Sequence, residues 1–422
     1  MKIKKLSEIA KIDISGVDKK TNPGEKPVKL CNFTDVYYNW SVSNSDVPNF
    51  MDASAKDTEI ERFSLKKGYV AITKDSETRD DIGIPCLITE NLENTILGYH
   101  CALIIPNEEI VDGGYLNACL QTKMSRTYFS NQASGSGQRY TLSVNGIGSV
   151  KVPIITLEEQ KKIANLLDSI DRKKRVNNTI NDNLQQLIQA TYSFWFNQFE
   201  FPDENGKPYA SNGGAFTYNE QLKRNIPTGW TVETLRHNTL FKYIDTGVLP
   251  FDSKNYLATA NVNGTTIIDG EWITFANREG RANMQPSIYS VWFAKMKNSV
   301  KHIFIPCNGQ WMIDKYIFST GFSGVQCTEE TFAYVACLIQ APFFEKTKDI
   351  LSHGATQQSV NNDDLDAIKI PVPPQDILRK FALEINPNFN KICILQKENQ
   401  ELYAQREYLL PLLMNGQITI TD

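Results

Sequence analysis

The chain has 422 residues, a formal net charge of −4 at neutral pH, 41% hydrophobic and 22% charged residues. That length exceeds one ordinary hydrophobic core and predicts two or three domains of a soluble globular protein. The acidic balance excludes a globally basic nucleic-acid binder, so any polyanion contact must come from local basic patches.

The N-terminus, MKIKKLSEIAKIDIS, is basic but lacks the apolar h-region of a secretory signal, and no window approaches the apolar length of a membrane span. The eight cysteines are scattered with no CxxC and no Cys/His ligand spacing, which predicts buried thiols in a reduced cytoplasmic protein. Residues 1–153 read as a first mixed α/β globule with strands at Gly68–Thr73, Pro85–Thr89 and Cys101–Pro106. A helix is predicted over Asp112–Ser130, opening after Gly114. A Gly-rich turn at Ser134–Tyr140 and a short strand at Val150–Ile155 follow.

Residues 154–198 form the longest run without Gly or Pro that matters for the fold, and it opens on a capping box. Thr156 caps the first turn while Glu159 reaches back to it. Ile163, Leu167, Ile170, Leu184, Ile188 and Trp195 recur at helical spacing, with Lys174, Asn177 and Asn181 polar on the same stripe. A helix of that length spans roughly 60 Å, more than one domain needs, which suits a spacer whose register is set by buried amides. A long surface helix on one domain accounts for this stretch alone equally well.

Residues 199–228, rich in Pro, Gly and Asn, read as an ordered linker. A second globule is predicted over 229–372, with strands at Thr265–Ile268, Trp272–Phe275, His302–Pro306 and Trp311–Ile317 and a helix at Thr328–Leu338. A second Gly/Gln turn, Ser352–Val360, precedes a short strand at Ile368–Pro373. A second long helix over 373–416 begins near Pro374, with Pro387 expected to kink it and Pro411 to disturb its last turns. Its stripe includes Phe381, Ile385, Leu402 and Leu413, interrupted by Asn388 and Asn399. Gly416 stops it, and 417–422 are a tail.

The order globule, helix, globule, helix repeats. Val150-Lys151-Val152-Pro153 matches Ile368-Lys369-Ile370-Pro371 at an offset of 369 − 151 = 218 residues. Upstream of the two turns the globules show no similarity in sequence. The predicted fold class is α+β: two globular mixed α/β domains separated by two long helices packed as an antiparallel coiled coil, with the central amides meeting Asn388 and Asn399.

The framework residues resemble those of type I restriction-modification specificity subunits over nearly the whole length. The resemblance is carried by Val152-Pro153-Ile154 with Glu158-Glu159-Gln160-Lys161-Lys162-Ile163-Ala164, by Ser193-Phe194-Trp195-Phe196 and Phe199-Glu200-Phe201-Pro202, and by Gly206-Lys207-Pro208-Tyr209 with Gly213-Gly214. Ile226-Pro227-Thr228-Gly229-Trp230 and Leu409-Leu410-Pro411-Leu412-Leu413-Met414-Asn415-Gly416 extend it. The resemblance implies a non-catalytic subunit whose two target recognition domains each read half of a bipartite site on double-stranded DNA. It also implies that the helix pair sets the gap and docks two methyltransferase subunits, and that motor-nuclease subunits join the complex. S-adenosylmethionine, ATP and Mg are then expected on the partners, with no cofactor on this chain.

Small residues let backbone approach a phosphate, and Arg or Gln side chains add charge or base contacts. The candidate DNA contacts are therefore Ser136, Gly137, Gln138 and Arg139 in the first turn and Thr356, Gln357 and Gln358 in the second. Arg278, Arg281 and Asn283, followed by Lys295 and Lys297, form a further candidate loop. Tyr37-Tyr38-Asn39-Trp40 reads as core packing rather than a DNA loop. Lys174, Asn177, Asn181, Leu184, Ile188, Asn399 and Leu402 are the candidate spacer and partner-docking residues.

Catalytic motifs are missing: the four histidines lie far apart, Gly321-Phe322-Ser323-Gly324 lacks the last glycine of a nucleophile elbow, and Asn386-Pro387-Asn388-Phe389 lacks the second Pro of an amino-methyltransferase motif. Two alternatives stay open at this point. One is a single-chain DNA methyltransferase or nuclease with an unrecognised site. The other is a coiled-coil adaptor with two ligand-binding modules and no nucleic acid.

Overall fold

The first long helix begins where its cap requires. Thr156 Oγ1 accepts the Glu159 N–H at 3.3 Å, and Glu159 Oε2 accepts the Thr156 N–H at 3.2 Å. In the computed structural model, which describes residues 2–136, 138–354 and 358–420, this helix covers Leu157–Tyr192 and ends in a wider π-type turn at Ser193–Asn197. The second long helix covers Gln375–Met414, with the Pro374 carbonyl accepting from Ile377 and Leu378. It continues through Pro387 and Pro411 without a break. Pro387 has no N–H for the Leu383 carbonyl one turn earlier, and Leu383 lies on the exposed side of the helix, 73% accessible.

The chain divides into two compact units, Met1–Arg175 with Gln400–Asp422, and Val176–Asn399. Both long helices are thus shared between the units, and each unit contains a length of each helix. In the second unit, Asn177 Nδ2 donates to Glu398 Oε2 at 2.8 Å and to Asn399 Oδ1 at 2.9 Å, while Trp195 lies on Phe381 with ring centroids 5.4 Å apart. Partner numbers fall as the first helix advances, so the two helices run antiparallel there. Asn399 also donates to Asn178 at 2.8 Å. The amide layer is as expected except that Asn388, eleven residues before Asn399, is not in it. In the first unit, Ile163 and Leu167 of one helix and Leu410, Leu413 and Met414 of the other join one hydrophobic core. The Lys174 ammonium sits 5.7 Å from the Tyr403 ring.

Each unit is built on an antiparallel sheet with the same strand order. In the first unit it runs Ala10–Ile14, Cys101–Pro106, Val70–Thr73, Pro85–Ile88, with Ser41–Val42 added parallel at the edge. In the second it runs Phe241–Tyr243, Phe322–Cys327, Ser290–Ala294, His302–Ile305. Both units carry a side sheet whose central strand has one antiparallel and one parallel neighbour. Lys26–Cys31 lies between Met51–Ala55 and Thr95–Leu97, and Lys254–Leu257 between Glu271–Ile273 and Tyr316–Ser319. The lead-in strands also match: Lys2–Lys5 pairs with Lys151–Ile154, and Thr231–Thr234 with Lys369–Val372. The two globules, unlike in sequence, therefore share one topology.

Several predicted elements are corrected. The helix over Asp112–Ser130 is two helices, Gly113–Gln121 capped by Asp112 and Lys123–Gln132 capped by Thr122, whose extended backbone breaks the run. Its counterpart is Glu329–Gln340 followed by Pro342–Leu351. The strand expected over Trp311–Ile317 is a helix, Gln310–Lys315, leading into the strand Tyr316–Ser319, a case where a short apolar run has no decisive period. The 199–228 linker carries a hairpin, Phe216–Asn219 with Arg224–Pro227. Its Phe199 and Phe201 pack on Trp230 inside the second unit's core.

A hydrogen bond recurs between helix and lead-in strand. Tyr115 Oη donates to the Pro153 carbonyl at 2.9 Å, and Tyr334 Oη to the Pro371 carbonyl at 2.6 Å. Both side chains are fully buried. Tyr115→Phe and Tyr334→Phe should each lower unfolding free energy by roughly 1–2 kcal/mol, because the half-buried Pro153 or Pro371 carbonyl loses its donor. Urea midpoints of the two variants check this, and unchanged midpoints would show the bond to be idle.

Candidate nucleic-acid interface

In both units the Gly/Gln turn is held against the end of a central sheet strand. In the first unit, Ser134–Ser136 pairs with Arg139–Thr141, and the latter pairs in turn with Asp75–Ser76, which follows the strand Val70–Thr73. Leu142 N–H donates to the Lys74 carbonyl at 2.8 Å, and Lys74 N–H to the His100 carbonyl at 2.8 Å. Gly135 has φ +142°, and a Cβ there would lie 2.1 Å from the Arg139 carbonyl oxygen, so the hairpin requires glycine at that position.

The second unit repeats the pattern. Ser359 bridges both His353 and Met296, which follows the strand Ser290–Ala294. Val360 N–H donates to the Lys295 carbonyl at 3.0 Å, and Lys295 N–H to the Gly321 carbonyl at 3.0 Å. Leu142 and Val360 are 360 − 142 = 218 residues apart, the offset of the lead-in strands. The hydrogen bonds thus equate Lys74 with Lys295, Asp75 with Met296, and His100 with Gly321.

The side chains placed on this common scaffold differ. In the first unit Gln138 and Arg139 are exposed at the turn. Arg139 Nη2 is 3.3 Å from His100 Nε2, His100 Nδ1 is 2.7 Å from Asp75 Oδ2, and Lys74 Nζ is 2.7 Å from the same oxygen. Burial works against the Asp75 charge. Lys74, Thr141 and His100 outweigh it and hold the carboxyl below its ordinary range. In the second unit Lys297 Nζ donates to Gln358 Oε1 at 2.8 Å, and its N–H to the Gln358 carbonyl at 3.0 Å. Lys295 is half-buried, and burial alone lowers its ammonium pKa.

Of the other sequence-predicted residues, Gly137, Thr356 and Gln357 lie outside the described residues, as does the Ser136 side chain. Arg278 is occupied: its guanidinium stacks 4.0 Å from the Phe275 ring centroid and Nη1 donates to the Phe275 carbonyl at 2.8 Å. Arg281 is exposed and Asn283 half-buried beside the side sheet. The turn at Thr320–Gly321 links this segment to Lys295, since Thr320 N–H donates to the Arg281 carbonyl and Gly321 accepts from Lys295. Trp292 and Phe293, interleaved with these lysines in sequence, are core residues. Gly324 belongs to that packing, because a Cβ there would meet the Trp292 ring at 2.3 Å.

Asn177, Asn181 and Ile188 are buried, Leu184 is packed against the second unit's core, and Lys174 and Leu402 are half-buried. These side chains face protein, so the solvent side of the helices consists of other residues, among them Val176, Leu187 and Ile394. Sequence reasoning missed the adjacent Lys74 and Asp75 and, 25 residues on from Asp75, His100. The positive φ of His100, +72°, is visible only in the fold. Among the described residues, no three His, Cys, Asp or Glu side chains gather as a metal site, and no helix is long and apolar enough to cross a membrane.

This arrangement, two like scaffolds carrying unlike polar tips, is that of a two-part recognition protein. The family model of the type I restriction modification DNA specificity domain matches residues 1–186. The type I restriction enzyme MjaIX specificity subunit of Methanocaldococcus jannaschii is 26% identical over 425 residues, covering 95% of this chain and 87% of that protein. The HindI specificity subunit of Haemophilus influenzae is 23% identical over 412 residues, covering 84% and 87%. The crystal structure of the type I restriction-modification S subunit from M. genitalium shares the fold, with a TM-score of 0.53 at 14% identity over 98% of this chain and 95% of that one. Residues 1–186 thus match a type I restriction modification DNA specificity domain, and over nearly its whole length the chain is similar to type I specificity subunits. The relatives do not favour the single-chain enzyme or the adaptor.

The Asp75 carboxylate gives a pH test. Its folded pKa is depressed, so its contribution to stability is complete above the ordinary value of 3.8 and is lost as pH falls through the folded value. Asp75→Asn should therefore be less stable than wild type at neutral pH, with the gap closing in acid below that value. Urea unfolding of both proteins across this range measures it, and a gap independent of pH would contradict the assignment.

Proposed function

We propose that each unit reads one half of a bipartite site on double-stranded DNA. The first would use the hairpin tip with Gln138 and Arg139, and the second the segment with Lys297 and Gln358. The observation that carries this reading is the duplicated docking of the turn on a sheet-strand end, with the framework kept and the tip residues changed. Backbone groups at such a tip can position phosphates, and Arg, Lys and Gln can reach base edges. The antiparallel helices then set the number of unread base pairs between the two words. Methyltransferase subunits dock on the complex in the cytoplasm, and motor-nuclease subunits complete it. S-adenosylmethionine, ATP and Mg belong to those partners.

Helix length should then be a ruler. Duplicating residues 176–182 together with the facing 394–400 adds one heptad to both helices, about 10 Å or about three base pairs. Methylation mapped with the partner methyltransferase should show both words kept and the gap widened. Words that change while the gap stays fixed would overturn the ruler. Arg139→Ala should weaken binding by roughly 1–3 kcal/mol and relax only one of the two words, as competition binding with half-site variants would show.

A further inference from the structure

The duplicated scaffold places a lysine at the same strand end in both units, but in two electrostatic states. Lys74 is neutralised: Asp75 Oδ2 lies 2.7 Å from its ammonium and also 2.7 Å from His100 Nδ1. At the matching position in the second unit the carboxylate is replaced by Met296. The nearby acids of that unit are engaged elsewhere. Glu345 is held by His302 at 2.8 Å and by buried Lys348 at 2.6 Å, and Asp349 accepts the Asn298 N–H at 3.0 Å. Asp364 accepts the Asn361 N–H at 2.8 Å and lies 3.5 Å from His353. Lys297, two residues on, has Gln358 Oε1 as its side-chain acceptor, a neutral group. Burial lowers the Lys295 pKa, and among the described residues no carboxylate opposes that effect.

A half-buried ammonium without a counter-charge among the described residues, beside a main-chain turn and a second exposed lysine, suits a phosphodiester oxygen. We propose that Lys295 is a DNA-phosphate contact of the second unit that has no counterpart in the first, where Asp75 masks the equivalent Lys74. The proposal rests on the DNA-reading function above and adds an asymmetry to it. One unit grips the backbone at the strand end, and the other presents Arg139 at its turn instead.

Phosphate contacts release counterions and set the slope of log K against log salt, independently of sequence. The test is equilibrium binding of the full chain, assembled with its methyltransferase subunits, to a mixed-sequence duplex over a range of NaCl concentrations. Lys295→Gln and Met296→Asp should each reduce the slope by about 1, while Lys295→Arg keeps it. Asp75→Asn, by unmasking Lys74, should raise the slope by about the same amount. Circular dichroism melts identify folded variants, and Met296→Asp keeps the lysine itself in place. A wild-type slope unchanged in both Lys295→Gln and Met296→Asp would overturn the proposal while leaving DNA reading intact. Absence of salt-dependent binding by the wild-type assembly would instead refute the DNA-reading function.

Discussion

A main-chain hydrogen bond at a strand end organises each half of this protein. The carbonyls of Lys74 and Lys295 accept from Leu142 and Val360, and these bonds fasten a polar turn to the rim of a buried sheet. Because the fastening uses backbone groups, it leaves the side chains of the turn open to change, apart from the Gly135 position of the first hairpin. The tip residues are free to change with the sequence to be read, while the sheet, the paired lead-in strands and the Tyr–Pro bond beneath them stay the same. A rigid element carrying variable tips is a sound physical basis for recognition, since preorganised groups lose less entropy on binding.

The antiparallel helices answer a different requirement. A purely apolar seam would bind tightly but would tolerate slippage between registers, whereas buried amides penalise every register but one. Asn177 meets Glu398 and Asn399, yet its own carbonyl oxygen and that of Asn181 are buried without a partner among the described residues. Each such atom costs about 1–3 kcal/mol. A chain that retains them sacrifices stability for a fixed alignment of the two helices within the second unit.

The framework was legible because it uses local signals. Thr156 and Glu159 announce the first helix, Pro374 the second, and the repeated Lys-Val-Pro and Lys-Ile-Pro strands reveal the duplication. The shared topology of the globules was not legible. Its strands are short and mostly buried on both faces, so they lack alternation, and their order depends on pairings far apart in the chain. The same limit hid part of the interface. Arg139 and Gln358 stand out beside glycines, but the contacts that give Arg139 its surroundings come from Asp75 and His100. Runs that look continuous in sequence also separate in space: Trp292 and Phe293 enter the core while Lys295 and Lys297 stay at the rim.

The central claim is that two structurally equivalent units read two independent words. It is tested most directly by mapping methylated adenines in DNA exposed to this chain and its methyltransferase subunits, before and after residues 134–141 are replaced with an unrelated hairpin of the same length. The account predicts a bipartite site in the first case, and in the second a site with one word altered while the other word and the gap are unchanged. A single contiguous word, or simultaneous change of both words, would contradict it.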